Sequence, residues 1–194
     1  MLLLYSIAAG LLIGRILGGR VRNLEHVHFV WWRLALAGLF VQLVLFADPI
    51  QERVGAEGPV IYVLSTVAVL AALLRNLRLP GMAVIAVGAG LNLLPILTNG
   101  GYMPSSPDVW HALTGVAAIP VEHYSNVVLI GPETMFPFLG DVFTFPRPLP
   151  LATAFSLGDA VIAVGAVVFL VSAMRQPATE QAAMVGPSPQ PAQR

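Results

Sequence analysis

The hydrophobic positions of this chain gather into five runs, 2–18, 31–46, 60–75, 81–97 and 157–174, separated by polar, glycine-bearing or proline-bearing segments. Each run approaches the ~17–25 residues that carry a helix across a bilayer. No long stretch alternates polar and apolar positions as the strands of a membrane barrel would. The pattern predicts an all-α integral membrane protein of about five transmembrane helices, forming a single transmembrane domain over 1–176. The first run lacks the basic start and small-residue cleavage site of a signal peptide and reads as a retained span. Its Gly10, Gly14 and Gly18 recur every four residues on one helical face, where another backbone can approach closely. With Ala154, Gly158 and Gly165, that face predicts that the last helix packs centrally.

Between the runs the chain carries signals of its own. Residues 99–155 read as an exterior Pro-rich loop module, because no stretch there is apolar enough to span and eight of the sixteen prolines fall within 102–150. Inside it, Ser106-Pro107-Asp108 supplies a cap, a first-turn proline and an acid, predicting a short helix through Trp110 to about Gly115. Val109, Trp110, Leu113 and Val116 give that helix an apolar face, to lie on the bilayer surface or on the spans. Pro146, Pro148 and Pro150 hold the chain extended ahead of the last run. Residues 177–194, rich in Pro, Ala and Gln, read as a disordered cytoplasmic tail.

Composition sharpens this picture. The chain is 57% hydrophobic and 10% charged, with mean hydropathy +0.80, against roughly 25% charged residues in soluble domains. Cysteine is absent, which removes disulfides, thiolate catalysis and cysteine-held metals. The net charge of +0 argues against nucleic-acid binding, for which a basic stripe is expected. Trp31 and Trp32 form an interfacial belt. The acidic segment with Asp48, Glu52 and Glu57 belongs outside. Arg15, Arg20, Arg22, Arg33, Arg75, Arg78, Arg175 and Arg194 then fall inside against Arg53 and Arg147 outside, which by the positive-inside rule places the N-terminus outside and the C-terminus in the cytoplasm of a bacterial inner membrane.

Against this apolar background, a few polar residues stand out. Asp141 and Asp159 flank the entry to the last run, and ionisable groups at the edge of hydrocarbon are functional candidates by default. Two nearby carboxyls cannot both ionise, so one acts as base while the other, protonated, polarises a carbonyl. The structural alternative is specific: Ser156-x-x-Asp159 is a capping box for the last helix, and Asp141 fits a loop turn. Asn99 is the expected orienter of the pair. Asn92, Gln42 and Ser156 would form a polar seam between helices. His26 and His28, or His111 with Glu122 and His123, lack the ligand spacing of a zinc site, and neither metal nor cofactor is expected.

Three motifs carry a resemblance. Gly18-Gly19-Arg20-Val21-Arg22-Asn23-Leu24, Asn99-Gly100-Gly101-Tyr102-Met103-Pro104, and the pair Pro137-Phe138-Leu139-Gly140-Asp141 and Phe155-Ser156-Leu157-Gly158-Asp159 resemble an uncharacterised multi-pass bacterial membrane family. The stretch from Gly140 to Gly165 also looks like the C-terminal part of lipoprotein signal peptidases. That likeness implies an outer-face aspartic dyad made by Asp141 and Asp159. Ser156 stands where that family has Asn, Gly158 where it has Ala, its Asn-Arg pair is missing, and two further spans between its Asn-x-Gly motif and the dyad are absent.

Two functional classes follow. In the first, the protein is an aspartic-peptidase-like hydrolase acting on a lipid or membrane-peptide substrate at the outer leaflet of the lipid bilayer. In the second, it is a non-catalytic membrane module, such as a complex subunit, lipid-binding protein or small transporter, whose exterior loop docks a protein partner and whose aspartates are helix caps.

Overall fold

A computed structural model describes residues 2–47, 50, 53–115, 126–145 and 153–176. The expectations for Asp48, Glu52, Val116, Glu122, His123, the prolines at 146, 148 and 150, and the tail from 177 lie outside the described residues.

Each apolar run folds as a helix: α1 Leu2–Ile16, α2 Trp32–Leu45, α3 Gly58–Arg75, α4 Met82–Thr98 and, after the short α5 Pro107–Thr114, α6 Leu157–Arg175. Two helical stretches are long and apolar enough to cross a membrane, Gly55–Arg75 with 21 residues and Leu157–Arg175 with 19. The helices over Leu2–Ile16, Trp32–Leu45 and Met82–Thr98 are shorter. The reason lies at their ends. Gly18 turns left-handed at φ +82 and stops α1 early, and Trp31, itself left-handed at φ 62, delays α2 to Trp32. The outward faces are apolar, with Ile16 and Leu43 each 73% exposed.

The long helices form an arc in the order α2, α3, α4, α6, α1, so that the last helix is wedged between the fourth and the first. Glycines set its spacing. A Cβ on Gly10 would meet Leu170, and one on Gly14 would meet Met174. On the other side, Gly88 lies against the Gly158 carbonyl and Gly165 against Ile85 and Gly81. The expected central packing through Gly158 and Gly165 is therefore observed. Gly18 has nothing within 4 Å and is replaced in this role by Gly19, which abuts Met174. Ala154 belongs to a strand.

Side chains that pair backbone groups left open at helix ends tie the arc together. Arg20 N and Asn23 Nδ2 both donate to the Met174 carbonyl, at 2.8 and 2.7 Å, which ties the turn after α1 to the end of α6. Asn76, 4% exposed, accepts from Val30 N and donates to the carbonyls of Val30 and Ala72.

The loop module is not purely helical. β1 Met103–Ser105 pairs in parallel with β2 Val127–Leu129, and β3 Phe143–Thr144 pairs antiparallel with β4 Ala154–Phe155. Strands of two or three residues, one containing Pro104, are too short to leave a period-two signal in sequence. Phe155 stacks on Phe143 and Phe145, and Tyr5 meets Phe145 edge-on at 5.7 Å, anchoring the ladder to α1. The short helix starts at Pro107 as expected and buries Val109.

Candidate functional site

Asp159 occupies the third position of α6, where the capping box forms in full. Ser156 Oγ accepts from Asp159 N at 3.0 Å, and Asp159 Oδ2 accepts from Ser156 N at 3.2 Å. Asn92 on α4 extends it: its Nδ2 donates to Asp159 Oδ1 at 2.7 Å, and its Oδ1 accepts from Ser156 Oγ at 2.7 Å. Three side chains thus close one hydrogen-bonded ring, with Ser156 fully buried. Both Asp159 oxygens act as acceptors, the arrangement that suits an ionised carboxylate. Gly158 is required here, because a Cβ at that position would collide with Asn92 Oδ1.

Asp141 arrives from the loop module. Its N–H donates to the Pro104 carbonyl at 2.7 Å and its carbonyl accepts from Ser106 N at 3.0 Å, so its backbone bridges alongside β1 at Ser105. Gly140 makes this approach feasible, since a Cβ there would strike the Pro104 carbonyl. No described residue donates a hydrogen bond to the Asp141 carboxyl. Burial, and after it the negative charge of Asp159, push this carboxyl up from 3.8 to about 7.

Both aspartates line one cavity of about 360 Å³ on the inner side of the arc. Its other polar walls are Gln42, Tyr62, Thr66, Asn92 and Asn126, while Leu39, Val69, Ala89, Ile96, Met103 and Ile162 close it with apolar surface. No Arg, Lys or His stands among the described lining residues.

Asn92 and Ser156 join Asp159, and Gln42 donates to Thr66 Oγ1 at 3.1 Å. Asn99, expected as the orienter of the pair, has other partners. Its amide donates to the carbonyls of Pro95 and Met135 and accepts from Met135 N, strapping the 131–139 loop to the end of α4. Asn92 and Asn99 share a helix face, but seven residues separate them by about 10 Å along the axis, so only Asn92 reaches Asp159. Tyr62, Thr66 and Asn126 are cavity residues that sequence reading passes over. Tyr62 and Thr66 leave a faint trace as polar positions four apart within an apolar run, whereas Asn126 leaves none.

Among the described residues, no three His, Cys, Asp or Glu side chains gather as a metal site. His26 lies 3.4 Å from Glu25, which also accepts from Arg22. A family model described as a family of unknown function (DUF5317) matches residues 26–171. The chain belongs to this family. The match spans α2 to most of α6, and so takes in every described residue that lines the aspartyl cavity. No curated protein and no solved structure matches the chain. The likeness of Gly140–Gly165 to lipoprotein signal peptidases has no counterpart in these comparisons.

Proposed function

We propose that this protein is a five-span inner-membrane hydrolase whose Asp141 and Asp159 act together on a carbonyl group of a membrane-borne substrate. The observation that carries the reading is that two carboxyls from separate elements face one cavity in unequal surroundings. Asp159, doubly hydrogen-bonded, is the base. Asp141, raised to about 7, is the acid. Asp159 takes a proton from water as the oxygen bonds to the carbonyl carbon, and Asp141 gives its proton to the carbonyl oxygen. Collapse of the tetrahedral adduct breaks the bond to the leaving group, which takes the proton from Asp159, while one hydroxyl of the adduct returns its proton to Asp141 and the carbonyl re-forms.

The membrane setting draws support from the apolar outward faces and from the two-to-eight division of arginines between the two sides, which orients the N-terminus outside. The helices over 2–16, 32–45 and 82–98 are short for a ~30 Å hydrocarbon core, and flanking Trp31, Trp32 and arginines extend their reach by lying in the interface.

The completed capping box favours the second reading, a non-catalytic module, for Asp159 alone, because Asp141 caps no helix. Substrate accumulation separates the two. Membranes from cells carrying wild type, Asp141→Asn or Asp159→Asn would be compared for peptides and lipids by mass spectrometry. Hydrolysis predicts that the same uncleaved species builds up in both variants at normal protein level. Indistinguishable membranes would remove the hydrolase.

A further inference from the structure

Tyr62 stands on α3 with its phenol in the wall of the aspartyl cavity. Phe46 holds its ring edge-on, with centroids 5.0 Å apart. Asn126 Nδ2 donates to Tyr62 Oη at 3.5 Å, which occupies the acceptor side of the hydroxyl. Its proton meets no acceptor among the described residues. A phenol ordinarily keeps that proton to about pH 10, so it is a donor in search of an oxygen.

Asp141 has the complementary need. Its carboxyl accepts from no described donor, whereas both oxygens of Asp159 are taken. Other donors of the cavity wall each have a partner elsewhere: the Gln42 amide on Thr66, the Thr66 hydroxyl on the Tyr62 carbonyl, the Asn92 amide on Asp159 and the Asn126 amide on Tyr62, each amide keeping a second N–H. The geometry points to Tyr62 as a third member of the site, a positioning residue whose hydroxyl donates to the ionised Asp141 carboxylate and holds it toward the cavity.

This rests on the two-carboxyl reading above and adds a control to it. A hydrogen bond to the charged form lowers an acid's pKa, against the upward push of burial and a like charge. Among the described residues of the cavity, Asp159 from α6 and Tyr62 from α3 are titratable while α2 and α4 present the uncharged Gln42 and Asn92, and the positive N-terminal amino group acts on Asp141 in the opposite sense to Asp159. Tyr62 thereby sets where Asp141 exchanges its proton.

The test is isotope-edited infrared titration of the intact protein in nanodiscs, following the carboxyl band that Asp141→Asn removes. Tyr62→Phe keeps the ring and its Phe46 contact, and should raise the Asp141 midpoint by about one pH unit. Placing 3,5-difluorotyrosine at position 62, a more acidic donor, should lower it. A midpoint unchanged by both replacements, or lowered by Tyr62→Phe, overturns the inference. Asp159→Asn reports separately on the two-carboxyl reading. It should lower the Asp141 midpoint by removing the neighbouring negative charge, and no movement would break that pairing whatever Tyr62 does.

Discussion

Burial and, after it, the negative charge of Asp159 bring the Asp141 carboxyl up to about 7. An acid whose folded value lies above its unfolded one binds extra protons when folded, so the contribution of Asp141 to stability is most favourable below about pH 4 and is lost as the pH climbs through 7. Asp141→Asn should therefore stabilise the protein at pH 8 by on the order of 2 kcal/mol and change little at pH 4. Thermal unfolding at the two values checks this, and an equal effect at both would mean an ordinary aspartate. Asp159→Asn should act the other way, costing about 1–3 kcal/mol, since an amide turns an N–H donor toward Asn92 Nδ2 or Ser156 N. Unaltered stability in that variant would dissolve the hydrogen-bonded ring as described. The two aspartates and the capping box were legible in sequence because both rest on short spacings. Asn92 was legible as polar, but its partnership with Asp159 was not, since it depends on where along α4 the last helix crosses. Tyr62 left only a faint trace as a polar position, because the path of α3 past the loop is what brings its hydroxyl to the cavity.

Backbone contact between helices depends on a few glycines, and the neighbour each one faces ranks their importance. A methyl on Gly88 would meet the Gly158 carbonyl at 2.6 Å and Ile162 N at 2.8 Å, groups that cannot step aside. A methyl on Gly14 would meet chiefly the Met174 thioether, which has rotamers to spare. Gly88→Ala should therefore cost about 1–3 kcal/mol by overpacking, and Gly14→Ala clearly less. Unfolding of the two variants side by side decides it, and the reverse order would contradict the packing. Five helices were readable at this scale because an apolar run dictates a helix with little help from its surroundings. The strands were not, because Met103–Ser105 is fixed by hydrogen bonds to partners more than twenty residues away. Asp141 is aimed by that same pairing, so its placement was hidden with the strands.

Across the whole molecule, neighbours in space are not neighbours in sequence. α1 and α2 are consecutive in the chain yet stand at opposite ends of the arc, and α6 separates α1 from α4. The described cavity walls follow this layout, drawing on α2, α3, α4, α6 and the loop module. The wedge has a consequence for how the protein is made. The ribosome delivers α1 first and its packing partner last, so the first helix waits through more than 140 residues of synthesis for the surface that covers its glycines. A chain stopped after Ser156 should be cleared by cellular proteases, and supplying 153–194 as a separate polypeptide should rescue it in trans, as pulse-chase labelling would reveal. Full persistence of the shortened chain would mean that α1 had found another partner. A nascent protein of this design carries its own quality check, since only a completed copy can close around its final helix.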